Sequence, residues 1–183
     1  MAYKNENTFQ HLFNTHQKKT YNICLNIVQN SEDAEDVTQE VFIEVHRSLD
    51  AFNNNAALST WIYRIAVNKS FDFLQAKKRK KKIAFVTQLF HPETGEQLHD
   101  MAHFDHPGVM LENKERSQIL YQAINNLPES QKTAFVLLKI EGFSQKETAD
   151  IMKLSEKAVE SLYQRAKINL KKLLGKMYDE RRI

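Results

Sequence analysis

The residues with the clearest chemistry in this sequence lie on one predicted helix and in the basic run that follows it. Residues 60–68, Thr-Trp-Ile-Tyr-Arg-Ile-Ala-Val-Asn, include the only tryptophan, and residues 77–82 are six consecutive basic side chains. A helix that only packs into a protein core needs no such charge. A helix along a nucleic-acid backbone does, because each neutralised phosphate releases counterions and adds sequence-independent affinity. The pattern predicts a nucleic-acid contact, with a solubilising charge cluster as the alternative.

Positive charge is segregated along the chain, although the net charge is only +3. Residues 1–82 hold 12 Lys and Arg against 9 Asp and Glu, and residues 119–183 hold 12 against 8. Residues 83–118 reverse the balance, with 2 against 6. Two basic blocks around an acidic connector predict two separate contact surfaces for a polyanion.

Length and composition restrict the class of protein. At 183 residues the chain has room for one domain or for two small ones. Its single cysteine, Cys24, excludes an internal disulfide and lies among apolar residues, so we expect a small buried hydrophobe. The first residues lack the apolar segment of a signal peptide, and no apolar run approaches the ~20 residues that span a bilayer. We expect a cytoplasmic protein without membrane insertion.

Helical periodicity runs through nearly the whole sequence and predicts an all-α fold. Apolar residues recur at three- and four-residue steps over residues 9–27, which predicts a first amphipathic helix. Ser31 is the predicted N-cap of a second helix. Acidic residues crowd the first turns of that helix, where they complement its macrodipole.

A third helix follows a predicted loop of three asparagines at residues 53–55. Ser59 or Thr60 is the predicted N-cap of this helix. Residues that share one face of it form a polar stripe, which comprises Arg64, Asn68, Asp72 and Gln75.

The periodicity fades from residue 83 to residue 113, where two of the three prolines and two of the four glycines fall. So long an irregular connection favours two domains over one. The sequence therefore predicts two small helical domains, residues 1–82 and 114–183, joined by a flexible linker at residues 83–113.

The predicted linker also contains side chains that bind metals in other proteins. His99 and His103 are spaced as two ligands on one helix would be. Nothing organises the remaining candidates, so we expect a solvated linker with no metal and no cofactor. The full set is His91, His99, His103, His106, Asp100 and Asp105.

Residues 145–164 fit a helix-turn-helix motif. Ser144 and Glu147 form a predicted capping box before its first helix, and Ser155 is the predicted N-cap of its second. Ala149 is the small residue at the closest approach of the helices, and Lys153 takes the turn position in a left-handed conformation. An ordinary helical hairpin is the alternative. The motif predicts four buried apolar side chains, which are Met152, Leu154, Val159 and Leu162.

The second helix of such a motif enters the major groove of DNA, where its N-terminal half reads base edges. Basic side chains further along that helix suit phosphates. Glu160 is either an acceptor for a cytosine amino group or a solvated side chain. The predicted contacts with duplex DNA are Lys146, Ser155, Lys157, Glu160, Ser161, Gln164, Arg165 and Lys167.

Motifs in both halves resemble one protein family. Residues 33–42, Asp-Ala-Glu-Asp-Val-Thr-Gln-Glu-Val-Phe, and residues 59–68 closely resemble region 2 of the bacterial sigma factors of RNA polymerase. Residues 127–132, 141–144 and 165–167 resemble region 4 of the same family. A short chain with only a linker between the two regions is similar to the extracytoplasmic-function (ECF) group. The resemblance implies a sigma factor, a non-enzymatic protein that binds core RNA polymerase and directs promoter recognition and transcription initiation.

The resemblance also implies roles for individual residues. The acidic second helix matches the docking site for the largest polymerase subunit, although its carboxylates could merely complement the helix dipole; the docking candidates are Asp33, Asp36, Gln39 and Glu40. The asparagine loop and the third helix match the elements that capture a flipped base and the melted strand of the minus-ten promoter element. Those candidates are Asn53, Asn54, Asn55, Trp61, Arg64, Asn68, Lys69, Lys77, Lys78 and Arg79. Trp61 could instead be a core residue.

The resemblance further implies that the helix-turn-helix reads the minus-thirty-five element. Many members carry Lys or Arg where this sequence has Glu160, and Arg where it has Leu162, so the preferred promoter sequence is not implied. The implied partners are core RNA polymerase, promoter DNA as duplex and as melted strand, and an anti-sigma factor, with no small-molecule substrate. Two alternatives are a stand-alone helix-turn-helix regulator, which would have no use for residues 31–82, and a metal-dependent enzyme built on the linker histidines.

Overall fold

A computed structural model of the chain describes residues 6–52, 57–90 and 114–180. Within these ranges the chain forms seven α-helices and no strand, which confirms the predicted all-α class. A 3₁₀ turn, Leu49–Ala51, follows the second helix, and a wide π-turn, Val136–Ile140, extends the fifth. The helices are α1 Glu6–Val28, α2 Ser31–Ser48, α3 Leu58–Phe90, α4 Lys114–Asn125, α5 Glu129–Phe135, α6 Gln145–Met152 and α7 Glu156–Glu180.

The first three helices pack into a bundle around fully buried aliphatic side chains from each helix, including Ile27, Val41 and Ile62. Cys24 is also fully buried, as its apolar neighbours predicted, and burial raises the pKa of its thiol. Apolar burial of this kind is the main favourable term in folding. The bundle therefore fixes the relative positions of α2 and α3, which carry most of the predicted binding residues.

Two predicted helix starts are wrong by a residue or two. Asn30, not Ser31, caps α2, because its side chain accepts a hydrogen bond from the Asp33 backbone N–H at 2.8 Å. The backbone N–H groups of a first helical turn have no partner within the helix. An asparagine amide oxygen accepts a hydrogen bond from such a group as well as a serine hydroxyl does. The third helix begins at Leu58, ahead of both Ser59 and Thr60, and continues to Phe90.

The turn chemistry of the C-terminal half is confirmed. Ser144 and Glu147 form the capping box, and the Ser155 hydroxyl accepts from the Ala158 N–H at 3.2 Å. Lys153 has a φ of 54°, the predicted left-handed turn position. Leu154 is a correction: it is 42% exposed, because it lies in the bend between α6 and α7 and on neither helix. Val159 is fully buried, while Met152 and Leu162 are half-buried.

The two domains pack against each other around one buried carboxylate. The side chain of Glu141, only 4% exposed, receives Lys19 Nζ at 2.9 Å and Asn26 Nδ2 at 2.7 Å from α1. Lys19 also donates to the Glu141 carbonyl and lies over the ring of Phe143, 4.7 Å from its centroid. An ion pair with additional hydrogen bonds offsets the cost of burying the charge.

A buried lysine makes the second polar contact between the domains. Lys132 on α5 is 2% exposed and donates to the carbonyl of Ile27, at the end of α1, and to Asn125 Oδ1. Burial, and to a smaller extent the nearby charge of Lys78, lowers the pKa of Lys132 to about 8, while Glu129 opposes the shift. Gln29 adds a third contact by donating to the carbonyl of Tyr121 at 3.0 Å.

Replacing Lys132 with methionine should change how stability depends on pH. The pKa of Lys132 is about 8 in the folded chain, against its ordinary 10.5, so between these values the unfolded chain binds a proton that the folded chain does not. Stability of the natural chain should therefore rise with pH across this window, relative to Lys132→Met, by up to roughly 3 kcal/mol. Urea unfolding at pH 7, 8, 9 and 10 measures the difference.

Lys139→Met is the matched control, because Lys139 is exposed on the adjacent turn. The free energy of unfolding of Lys139→Met should differ from that of the natural chain by the same amount at each pH. A constant difference for Lys132→Met as well would contradict the lowered pKa of the buried ammonium.

Candidate nucleic-acid interface

Trp61 lies near the start of α3, half-buried against the core. Its ring contacts the ring of Phe52, with 5.1 Å between the centroids. Phe52 directly precedes the predicted asparagine loop, and Asn53, Asn54 and Asn55 lie outside the described residues. The indole is therefore held in place by packing, and it stands beside the start of that loop.

Arg64, the next predicted DNA contact on α3, reaches across to the other domain. Its Nε donates to the carbonyl of Ile151 at 3.3 Å, and its Nη2 donates to the carbonyl of Asp150. Both carbonyls belong to the last turn of α6, where helix C-termini carry unsatisfied acceptors and partial negative charge. Two donor atoms of the guanidinium are thus hydrogen-bonded to backbone carbonyls of the other domain.

An interdomain cavity of about 270 Å³ opens beside this contact. Asn68 is exposed and lines the cavity from α3, opposite Met152 and Lys153 of the helix-turn-helix. Arg64 and Asn68 are therefore brought together, as the polar stripe predicted, on a face that the C-terminal domain overlies.

Two of the predicted DNA-binding lysines face α2. Lys69 Nζ lies 3.7 Å from a Glu40 carboxylate oxygen and 3.8 Å from one of Glu44, and Lys77 Nζ lies 2.8 Å from Asp33 Oδ2. Half-exposed ion pairs of this kind add little to the stability of the fold, but they orient the side chains. These lysines join α3 to the acidic helix, and α2 was not a predicted partner for either.

The rest of the basic run points outward. Lys78 and Arg79 are exposed on α3, as are residues 80–82. Arg79 Nε donates to the carbonyl of Gln75 on its own helix at 3.4 Å. The exposed ammonium groups of Lys78, Lys80 and Lys82 are of the kind that contacts phosphates in nucleic-acid complexes.

The α2–α3 groove, about 510 Å³ in volume, lies between the acidic helix and α3. Asp36, Gln39 and Glu40 are exposed along its α2 wall, whereas Asp33 is half-buried and turned toward Lys77. The remaining lining residues are Val37, Ile43, Lys69, Asp72, Phe73 and Ala76. The groove combines carboxylates with an apolar floor, as protein-binding surfaces commonly do.

Ile43 is a functional candidate that the pattern of α2 could have indicated. It is 47% exposed within the groove, where its side chain adds apolar surface beside the carboxylates. Its position is off the stripe formed by the buried Val37, Val41 and Val45, so a helical projection of α2 places it on the outer face.

The outer face of α7 carries a row of exposed polar side chains. They are Lys157, Glu160, Ser161, Gln164, Arg165 and Lys167, and Lys146 is exposed on α6. Ser155 is occupied as the N-cap, and Lys167 lies over the ring of Tyr163, 4.8 Å from its centroid. Gln145 donates to the carbonyl of Glu156 at 2.9 Å and ties α6 to α7. The predicted reading face is thus assembled on one rigid helix.

The described residues contain no group of three or more His, Cys, Asp and Glu side chains placed to hold a metal ion. The linker residues His91, His99, His103, His106, Asp100 and Asp105 lie outside the described ranges. Of the helices that are described, none is long and apolar enough to cross a bilayer.

Family comparisons match both domains. The pattern of Sigma-70 region 2 matches residues 12–80, which include the α2–α3 groove and most of the basic ridge of α3, residues 77–82. The pattern of Sigma-70 region 4 matches residues 117–170, which include the helix-turn-helix.

Individual proteins agree with this match. The chain is 33% identical to the ECF RNA polymerase sigma-E factor of Haemophilus influenzae over 148 residues, covering 74% of this chain and 77% of that protein. It is 31% identical to the RNA polymerase sigma-H factor of Pseudomonas aeruginosa over 165 residues, covering 90% and 85%.

Solved structures share the fold. The sigma factor RpoE in complex with the anti-sigma factor NepR from Bartonella quintana superposes with a TM-score of 0.66 and 20% identity, over 91% of this chain and 96% of that one. CnrH in complex with the cytosolic domain of CnrY gives a TM-score of 0.65 and 22% identity, over 94% and 90%. With both regions matched in order and full-length relatives above 30% identity, this chain belongs to the sigma-70 family of RNA polymerase sigma factors, in its extracytoplasmic-function group.

Proposed function

We propose that this sigma factor directs core RNA polymerase to a two-part promoter through three separate surfaces, and that it acts by binding alone. The observation that carries the proposal is the coincidence of the two matched regions with two exposed faces, the α2–α3 groove and the outer face of α7. The chain functions in transcription initiation, as its family does. The proposed division is residues 1–82 for region 2, 83–113 for the linker and 114–183 for region 4, although residues 83–90 of that linker continue α3 as helix.

The α2–α3 groove is the proposed docking site for core polymerase. Asp36, Gln39 and Glu40 present polar groups around the exposed Ile43. An apolar anchor inside a polar rim is the usual composition of a binding hot spot. Asp33 contributes indirectly, because its ion pair with Lys77 holds α2 against α3.

The basic ridge of α3 is the proposed site for the melted minus-ten strand. Lys78 and Arg79 are exposed for phosphates, and Arg64 and Asn68 share one face with them along the polar stripe. Lys69 and Lys77 orient α3 on α2 and add positive potential at the same ridge. Trp61 is fixed by Phe52, the residue that precedes the three asparagines in the sequence, and we propose that these asparagines receive a flipped base.

The outer face of α7 is the proposed reader of the minus-thirty-five duplex. Lys157, Glu160, Ser161 and Gln164 occupy its N-terminal half, which a helix-turn-helix inserts into the major groove. Arg165 and Lys167 follow further along the helix, where we propose that they contact phosphates. Ser155 acts as a cap that orients the helix, and Lys146 adds a phosphate contact from α6.

We also propose an anti-sigma factor as a partner and the cytoplasm as the site of action. The two solved structures with this fold contain sigma factors bound to NepR and to the cytosolic domain of CnrY, which supports a similar inhibitor here. The proposed partners are macromolecules, and no cofactor or small-molecule substrate is part of the proposal.

Run-off transcription tests the proposal as a whole. Bacterial core polymerase without its own sigma factor, given a promoter library, should make specific transcripts only when this protein is added. The absence of added transcripts across the library would refute the proposed function.

Replacing Asp36 and Gln39 together with alanine should weaken polymerase binding about tenfold, because each removes a polar contact at the rim of the docking groove. Co-purification with core polymerase at graded concentrations measures the affinity, and circular dichroism checks that helicity is kept.

The control is Glu32→Ala with Glu35→Ala, since both residues are exposed on α2 but lie outside the groove, and it removes one more negative charge than the test variant does. An equal loss in the control would show that only the general acidity of α2 matters. No loss in either variant would place the docking site elsewhere.

Arg165→Ala should lower affinity for a promoter duplex selected in the run-off experiment. It should also reduce the slope of log affinity against log salt by about one, since one phosphate contact is lost. Fluorescence anisotropy at four salt concentrations measures both quantities. Arg47→Ala is the control of the same residue type, because Arg47 is an exposed arginine on α2. An unchanged slope for Arg165→Ala would remove this residue from the interface.

A further inference from the structure

We propose that Glu160 makes this sigma factor select a C·G base pair in the duplex that α7 reads, by accepting a hydrogen bond from the N4 amino group of the cytosine in the major groove. The inference rests on the proposed function of α7, and it adds the base that is chosen and the side chain that chooses it. It follows from the position of Glu160 on the helix and from the groups around it.

The start of α7 holds Glu160 in a defined position on an exposed face. Val159, the residue before it, is fully buried and anchors this turn of the helix, while Glu160 itself is exposed. Since Glu160 lies three residues after Lys157 and four before Gln164, all three share one helix face. This face belongs to the N-terminal half of α7, which a helix-turn-helix presents to base edges.

No contact within the described part of the chain explains a carboxylate at this position. Glu160 forms no hydrogen bond or ion pair there, although Lys157 has the spacing of a helical ion pair. The helix macrodipole does not require it either, because that effect is confined to the first turn, where Glu156 already stands. The carboxylate of Glu160 therefore remains open to a group outside the chain.

A carboxylate on a DNA-reading face is unfavourable unless a donor in the groove compensates it. Phosphates repel it, and the exposed cations near it on α7, Lys157 and Arg165 among them, only reduce this repulsion. An ionised carboxylate accepts hydrogen bonds and donates none. It thus needs a base that presents an amino group, and it is repelled by bases that present only acceptors.

Cytosine is the base that fits this requirement best. Its major-groove edge presents the N4 amino group alone, whereas adenine places the N7 acceptor beside its N6 amino group. Guanine presents two acceptors, and thymine presents O4 and a methyl group, so neither donates to a carboxylate. Gln164, one turn further along the same face, both donates and accepts and therefore suits adenine. The selection of cytosine thus belongs to Glu160.

Sequencing of functional promoters tests the inference in the reconstituted holoenzyme. The full-length chain and core polymerase transcribe a run-off library in which the duplex element upstream of the melted region is randomised, and the templates that yield transcripts are sequenced. The natural chain should enrich cytosine at one position of this element. Glu160→Ala should lose that enrichment and keep the others. Glu160→Lys should replace cytosine by guanine there, because an ammonium donates to guanine O6 and N7.

Affinity measurements give the size of the effect. Replacing that C·G pair by T·A in a selected promoter should lower the affinity of the natural holoenzyme about tenfold, since thymine O4 takes the place of the amino group. The same replacement should leave the affinity of the Glu160→Ala holoenzyme nearly unchanged. Fluorescence anisotropy with the labelled promoter measures both affinities.

Glu156→Lys is the matched control. Glu156 is an exposed glutamate one turn earlier on α7, and its replacement changes the net charge by the same amount as Glu160→Lys does. The control should alter the affinity for all promoters by a similar factor and keep the preference for cytosine.

Cytosine enrichment that persists in Glu160→Ala would overturn the inference, as would a natural chain that enriches no cytosine in this element. If circular dichroism shows that Glu160→Lys is unfolded, Glu160→Gln gives the decision. Its amide should shift the preference from cytosine towards adenine, and an unchanged preference would contradict the role of Glu160. The two proposals fail separately. A natural chain that gives no specific transcripts refutes the proposed function, whereas specific transcription that ignores Glu160 refutes only the selection of cytosine.

Discussion

The contact of the buried Glu141 carboxylate with Lys19 and Asn26 is the interaction on which the packing of the two domains depends. The carboxylate is almost completely buried, and among the described residues the Lys19 ammonium and the Asn26 amide compensate its charge. Burial, with a contribution from this negative charge, raises the pKa of Tyr63 and Tyr121, so both phenols stay protonated at the interface. One charged side chain from region 4 thus contributes to the protonation of two tyrosines where the domains meet.

The polar contacts at this interface bear on how readily the two domains separate. An apolar contact of the same size would be hard to reverse, whereas paired charges and helix ends can exchange protein partners for water or phosphate at moderate cost. Lys132 and Arg64 illustrate the principle, because each places a cation at the carbonyl end of a helix from the other domain.

Local features of the fold could be predicted from the sequence, because their causes lie within a few residues. The Ser144–Glu147 capping box and the left-handed Lys153 are confirmed, since cap and turn chemistry is short-range. The cap of α2 was misplaced because Asn30 and Ser31 are both good caps, and only the backbone conformation distinguishes them.

Contacts between distant residues could not be predicted in the same way. Nothing in the sequence pairs Lys19 with Glu141 or Arg64 with the α6 terminus, because those pairs depend on how two domains meet. For the same reason the predicted DNA-binding Lys69 and Lys77 could not be expected to face the carboxylates of α2. The binding surfaces themselves were accessible to sequence reasoning, since exposed charge on an amphipathic helix is a local property.

The most direct measurement of the central claim is the distance between spin labels on cysteines introduced at the exposed Arg47 of α2 and Lys176 of α7. Cys24 is buried and stays out of reach of the label. Pulsed electron paramagnetic resonance should give one narrow distance distribution for the natural chain and a broader one for Lys19→Glu, which leaves the buried Glu141 carboxylate without its cation. A broad distribution in the natural chain, or one that Lys19→Glu leaves unchanged, would contradict the packing of the two domains around Glu141.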